Sequence, residues 1–346
     1  MGVALAIVRM KDLFAVIMLS GIYGLLSASF FVAMDAVDVA FTEASVGAGI
    51  STLLMLVAIT MTGRTEHPAR HKPALALAVV IVTGGLLLYG TLDMPYFGSA
   101  QAPVHQHVAP RYINDSMQEI GVPNIVTSVL ASYRAFDTFG EVVVIFTAGM
   151  GVLALLSVVR LPKKTVGDIA RDTAEIDSLN ASMHEQHLIL RIVSKMLLPF
   201  IMLFALYVQF HGDFGPGGGF QAGMIFAAAI ILYAMLFGMN TARRVINQSF
   251  IQFLAATGVL LYGSVGLVSL FNGKNFLDYS ALSTDPIAGQ HLGILLIELG
   301  VGITVTSVMV IIFFNFAGRH ENSQAIENNS VENSDMQNDH RKNNKT

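Results

Sequence analysis

The stretch YRAFDTFGE, from Tyr133 to Glu141, places charged residues at the mouth of a strongly apolar run. At helical spacing Arg134, Asp137 and Glu141 stand at i, i+3 and i+7, so all three project from one face that carries both signs of charge. The run that follows, VVVIFTAGMGVLALLSVV, holds eighteen residues without a charge, close to the length a bilayer core demands. Ionisable side chains at such a place are costly unless they are paired or line water. Two readings stand side by side: a site that passes ions or protons, and an outer-surface ion pair that anchors the helix.

Other charges invite the same question. Glu298 lies in GILLIELGVGITV, nine residues after Gly289, hence roughly 14 Å into a membrane if a helix begins there. A carboxylate at that depth needs a partner or a water chain, which favours an ion or proton pathway over a purely structural pair. His291, at i−7, shares its face. Arg191 can snorkel to an interface, whereas Lys195 sits about 6 Å deeper, and Pro199 beyond it frees a backbone carbonyl one turn earlier. Asp35 and Asp38 read as acids at a helix start, while Glu43, a little over one turn on, is a pathway candidate at or below the membrane boundary. In HGDFGPGGG, Pro216 with Gly217, Gly218 and Gly219 permits a tight reversal and close packing against the next helix. The triple glycine lacks the Lys-Ser or Lys-Thr of a phosphate loop, and His211 and Asp213 there could serve an ion entrance, although a structural turn is the leading reading.

The elements that must position these residues are membrane helices. Of 346 residues, 53% are hydrophobic and only 13% charged, with mean hydropathy +0.61, and the apolar content is gathered in long blocks. This is the composition of an all-α, polytopic integral membrane protein. The absence of cysteine excludes disulfides, iron–sulfur ligation and thiolate catalysis, and no histidine cluster has a recognised metal spacing, so neither a cofactor nor a metal is expected. A net charge of −4 spread over this length argues against nucleic acid.

About eight spans are expected: Leu13–Met34, Val39–Met61, Pro73 to near Asp93, a helix ending near Val159, Leu188–Phe210, Phe220–Met239, Ile246–Phe271 and Gly289–Phe316. A helix running unbroken from Asn124 to Val159 would be roughly 54 Å long, so a bend near Arg134 to Asp137 is expected. The charged segment from Arg160 to Gln186 reads as a cytoplasmic linker, and the Asn-, Ser- and charge-rich tail from Arg319 as disordered. MGVALAIV, before Arg9, is too short to span, which leaves open an additional leading helix. Arg64, Arg70 and Lys72, then Arg160, Lys163, Lys164 and Arg171, then Arg243 and Arg244, then Arg319, fall in alternate loops. The intervening loops hold only Arg111 and Lys274, so the positive-inside rule puts both termini in the cytoplasm.

Together these residues carry a family resemblance. LRIVSKMLLPFIMLFALYVQFHGDFGPGGGFQAGMIFAAAIILYAML and NFLDYSALSTDPIAGQHLGILLIELGVGITV resemble the B subunit of Mrp-type multisubunit cation/proton antiporters over nearly all of Leu188 to Phe316. DAVDVAFTEASVGAG, from Asp35, is similar to the D-type subunit of membrane-bound hydrogenases and to the carboxy-terminal part of the large Mrp A subunit. NIVTSVLASYRAFDTFGEVVV, from Asn124, resembles the E-type segment that follows it. Two departures stand out: Val37 replaces the family's usual proline, and Gly47 stands where the A subunit often carries glutamate, so the match is closer to the hydrogenase version with Glu43.

The resemblance implies a fused chain: a D-type segment at 1–93, an E-type segment at 94–160, the linker at 161–187, a B-like domain at 188–317 and the tail at 318–346. It implies an accessory, ion-path-forming subunit of a sodium/proton antiporter in a prokaryotic cell membrane. Such a subunit would be inactive alone, not an enzyme, and partnered by antiporter-like large subunits. Glu43, Asp137 and Glu141 would then belong to a lateral proton or sodium route. The alternatives are the membrane arm of a redox-driven pump, such as an energy-converting hydrogenase, and a self-sufficient carrier.

Overall fold

The computed structural model describes residues 1–66, 73–96, 98–157 and 188–343. Among the described residues there is no strand, and eight helices are long and apolar enough to cross a membrane. They are α1 (Leu13–Ala33), α2 (Val37–Thr60), α3 (Ala74–Thr91), α4 (Ala135–Leu156), α5 (Ile189–His211), α6 (Gly219–Phe237), α7 (Gln248–Phe271) and α8 (Pro286–Gly318). These are the spans expected from the hydropathy pattern. The starts of α1, α7 and α8 are fixed by short polar side chains that accept from backbone N–H groups: Asp12 from Phe14, Asn247 from Ser249 and Asp285 from Ile287. Asp12 is also paired with Arg64 at 2.9 Å, and that guanidinium holds its carboxyl below the usual carboxylate range.

The core is built around α8, the most buried of the spans. Helices α6 and α7 pack along it, α4 crosses it, and α5 lies against α6. Helices α1 and α2 form a pair that joins the rest where α2 meets α6 and α8. Apolar side chains gain nothing by leaving lipid for one another, so close backbone approach must supply the packing energy. Glycines supply it. A Cβ at Gly219 on α6 would run into the backbone carbonyl of Glu298, one at Gly223 would come within 2.8 Å of the Gly302 oxygen, and one at Gly258 on α7 within 2.6 Å of the Gly300 oxygen. At the other end of α8, Arg243 donates to the Phe314 carbonyl at 2.8 Å, so this basic residue anchors a helix as well as marking a loop.

Three features were not read from the sequence pattern. Helix α2 switches to π geometry over Ala44–Ile50. The proline-containing stretch between α3 and α4 is not extended but folds into short helices at Pro103–Gln106, Val108–Asn114 and Ser116–Glu119. Arg111 and Tyr133 both bind Glu119 there, and these two contacts hold its carboxyl below the ordinary value. Finally, the backbone of the last helix continues to Asn343, where a disordered tail was expected. No glycine or proline follows Gly318, and extending a formed helix costs little without a breaker. Residues 67–72 of the basic loop and the linker at 161–187 lie outside the described residues.

Gly219→Ala and Gly258→Ala should each lower the stability of the chain by about 1–3 kcal/mol, because the added methyl meets backbone that cannot step aside. Gly84→Ala on α3, where a Cβ meets nothing within 4 Å, should leave it unchanged. Thermal unfolding in detergent, followed by fluorescence-detected size exclusion, separates the two outcomes.

Candidate functional site

The segment leading into α4 sets up the site. Asn124 caps a short helix, Ile125–Thr127, by accepting from the Val126 N–H. A π turn over Ser128–Tyr133 follows, and the helix breaks at Arg134, where φ is −119° and ψ 30°. The bend expected from the excess length is therefore present. In the π turn the Arg134 N–H reaches back to Val129 rather than Leu130. The carbonyls this displaces are taken up by side chains: Leu130 by Thr138 at 2.8 Å and Ala131 by Tyr279 at 2.8 Å, while Ala135 just beyond the break accepts from Tyr262 at 2.7 Å. Burial pushes the Tyr279 hydroxyl's pKa up, so it remains a donor. Tyr133, half-buried and bound to Glu119, is pushed up to about 12, first by burial and then by that carboxylate.

Between α2, α4, α6 and α8 lies a cavity of about 320 Å³. Three carboxylates line it, each from a different part of the chain: Asp38 from α2, Glu141 from α4 and Glu298 from α8. Thr42, Thr127, Thr138 and Gln221 add hydroxyl and amide groups, and Val142, Ile145, Ile297 and Val301 close the apolar sides. Gln221 donates to the Thr42 hydroxyl at 2.8 Å, which ties α6 to α2 across the cavity wall.

The turn between α5 and α6 forms the lid of this space. Gly218 adopts φ 110°, open to glycine, and its N–H returns to the Val208 carbonyl at 3.0 Å, folding the turn back onto the end of α5. The Glu298 carboxylate fits between two glycines: a Cβ on Gly212 would stand 3.1 Å from one oxygen and one on Gly218 2.9 Å from the other. Among the described residues no group hydrogen-bonds to this carboxylate. Asp213 and His291 sit beside the turn, with Oδ2 and Nδ1 3.4 Å apart, and His211 stacks on Tyr207.

Of the residues singled out in the sequence, Asp38, Glu141, Glu298, Gly217, Gly218 and Gly219 come together on the cavity, with Asp213, His291, His211 and Pro216 in or beside its lid. Asp137 does not join them: it pairs with Arg134 at 2.5 Å, the two side chains being 52% and 61% exposed. Glu43 faces another way, with its carboxylate over Gly47 of its own helix. Lys195 is exposed near the opposite end of α5, about 24 Å along the axis from His211. Asn124, Thr127, Gln221, Tyr262 and Tyr279 were not singled out. Asn124 alone carried a local signal, an N-cap residue directly before an apolar run.

Three sequence families match the chain in succession. The MBH subunit family MbhD matches residues 1–64, the MBH subunit family MbhE matches 70–172, and "Domain related to MnhB subunit of Na+/H+ antiporter" matches 189–311. The antiporter subunit mnhB2 of Staphylococcus aureus strain Newman is 34% identical over 139 residues, covering 39% of this chain and 98% of the relative, and strain JH1 gives the same figures. Among solved structures, the Mrp complex from Dietzia sp. DQ12-45-1b has a similar fold, with TM-score 0.70 and 24% identity over 91% of this chain. The match takes in 34% of that chain, so this protein spans about a third of its length. The membrane-bound sulfane sulfur reductase, an archaeal respiratory membrane complex, is similar over 70% of this chain and 97% of the other, with TM-score 0.51 and 28% identity.

Tyr279→Phe and Tyr262→Phe each strip the side-chain donor from a buried carbonyl and should destabilise the chain by about 1–3 kcal/mol. Tyr207→Phe, on the exposed face of α5, should not. The thermal midpoint of each purified variant decides the matter.

Proposed function

The chain belongs to the family of MnhB-type Na+/H+ antiporter subunits, and we propose that it acts as an ion-path-forming, accessory subunit of a multisubunit monovalent cation/proton antiporter. The observation that carries this reading is the convergence of Asp38, Glu141 and Glu298, from three separate segments, on one cavity among membrane helices. Carboxylates in such a place can exchange a proton for a cation, because each binds either one. Sodium and protons are the proposed substrates. The Staphylococcus aureus relative supports a prokaryotic cell membrane location, and the alternation of basic loops supports both termini in the cytoplasm.

The accessory role has its own support. Among the described residues helix α3 makes no extensive contact with another spanning helix and is exposed nearly throughout, so a partner subunit is the natural cover for it. The matched Mrp chain is also about three times as long, which supports antiporter-like large subunits as the partners. A second reading, the membrane arm of a redox-driven pump, is favoured by the two MBH-type matches and by the likeness to the sulfur reductase complex.

Everted membrane vesicles from cells lacking their main antiporters test both readings. With the complete operon, sodium should dissipate a proton gradient without any electron donor, and deletion of this chain should abolish the effect. Glu141→Gln and Glu298→Gln should each cut exchange about a hundredfold or more, as when a positioned proton-transfer group is removed, with the complex still assembled. Asp137→Asn, at the exposed pair, should cost less. Exchange that appears only when a redox substrate is supplied would transfer the assignment to the second reading.

A further inference from the structure

The half-buried side chain of Asn124 touches all three segments of the chain. Its amide nitrogen lies 3.4 Å from Asp38 Oδ1 on α2, 3.2 Å from the Gly212 oxygen and 3.0 Å from the Gly215 oxygen in the lid. Its own backbone N–H donates to the Asp213 carbonyl at 3.0 Å, and its side-chain oxygen caps the next helix. The amide orientation follows from the partners: three oxygens surround the nitrogen, and an N–H faces the oxygen. Thr127, one turn on, donates to the same Gly212 carbonyl at 2.6 Å.

We propose that Asn124 is a positioning residue of the ion site, holding the Asp38 carboxylate and the glycine lid over Glu298 in one register. The proposal rests on the reading of the cavity as an ion site. Two amide N–H groups are shared among three acceptors, so no acceptor-only side chain can replace them. Gly212 is both an acceptor in this clasp and a wall of the Glu298 carboxylate, so loosening the clasp moves the wall. Asp38 likewise loses the one donor that reaches it from outside its own helix among the described residues.

The cap and the clasp can be separated by substitution. Serine and aspartate both cap helices well, but neither supplies the two amide donors. Asn124→Ser and Asn124→Asp should therefore assemble into the complex yet need about tenfold more sodium for half-maximal exchange, the size expected for a lost hydrogen bond to a charged group. Asn124→Asp should recover as pH falls, because protonation returns one O–H donor and removes the charge facing Asp38. Spin labels provide a readout that does not depend on transport. The chain has no cysteine, so Val37→Cys and Phe214→Cys, both exposed positions, can be labelled specifically in a complex whose other cysteines are removed. The distance distribution between α2 and the lid should be narrow with Asn124 and broad with serine there. Wild-type sodium dependence together with an unchanged narrow distribution in Asn124→Ser would overturn the proposal. A broadened distribution in a complex that exchanges no sodium would uphold the clasp and sink the antiporter reading instead.

Discussion

The contact on which the rest of the structure depends is the one between α6 and α8, where the Gly219 backbone rests against the Glu298 carbonyl. In lipid no hydrophobic force drives helices together, so backbones must meet at van der Waals distance to hold. That requirement explains why the start of α6 carries no side chain at 217–219 and why Gly300 and Gly302 face α7 and α5. The same approach brings the lid of the cavity down onto α8. The carboxylate of Glu298 is walled by glycine backbone because the helix that carries it is clasped by glycine backbone. Packing and site are one constraint.

A second constraint follows from the first. The glycines of the lid have no side chains to fasten them, and their carbonyls must find donors from elsewhere. They come from the segment before α4: Asn124 and Thr127 supply the donors for Gly212 and Gly215. That segment is itself irregular, with a π turn and a break at Arg134, and it in turn draws Tyr262 and Tyr279 from the B-like part. The E-type and B-like segments therefore satisfy each other's exposed backbone in both directions. Such reciprocity makes a fused chain physically sensible, since neither part has a fully bonded backbone at this level of the bundle without the other.

The spans were legible because uncharged runs of this length have one favourable fate, and the bend at Arg134 was legible because the helix was otherwise too long. Other features depended on partners far away in sequence. Nothing near Ser128–Tyr133 announces a π turn; the donors to its displaced carbonyls include a tyrosine 148 residues on, in the loop between α7 and α8. The choice between Asp38 and Glu43 was not open to local reasoning either. The two lie about 140° apart around the helix axis, and only the neighbouring helices decide which face meets the cavity. Asp38 shares that face with Thr42, and Glu43 does not. Lys195 read as deep because the sequence shows depth along a helix and not which side faces outward.

The exposed surface carries the last step. Arg134 and Asp137 form a well-made pair on the outside of the bend, and α3 is uncovered along its length. An ion pair left facing lipid would be costly, whereas one facing a polar recess or a partner helix would not. Glu141, one turn beyond Asp137 on α4, turns toward the cavity while the pair turns away from it. The charged face that opens this helix is thus divided, with one carboxylate directed inward to the site and one outward. The outward pair and the uncovered α3 fit a chain whose membrane surface is completed by another subunit.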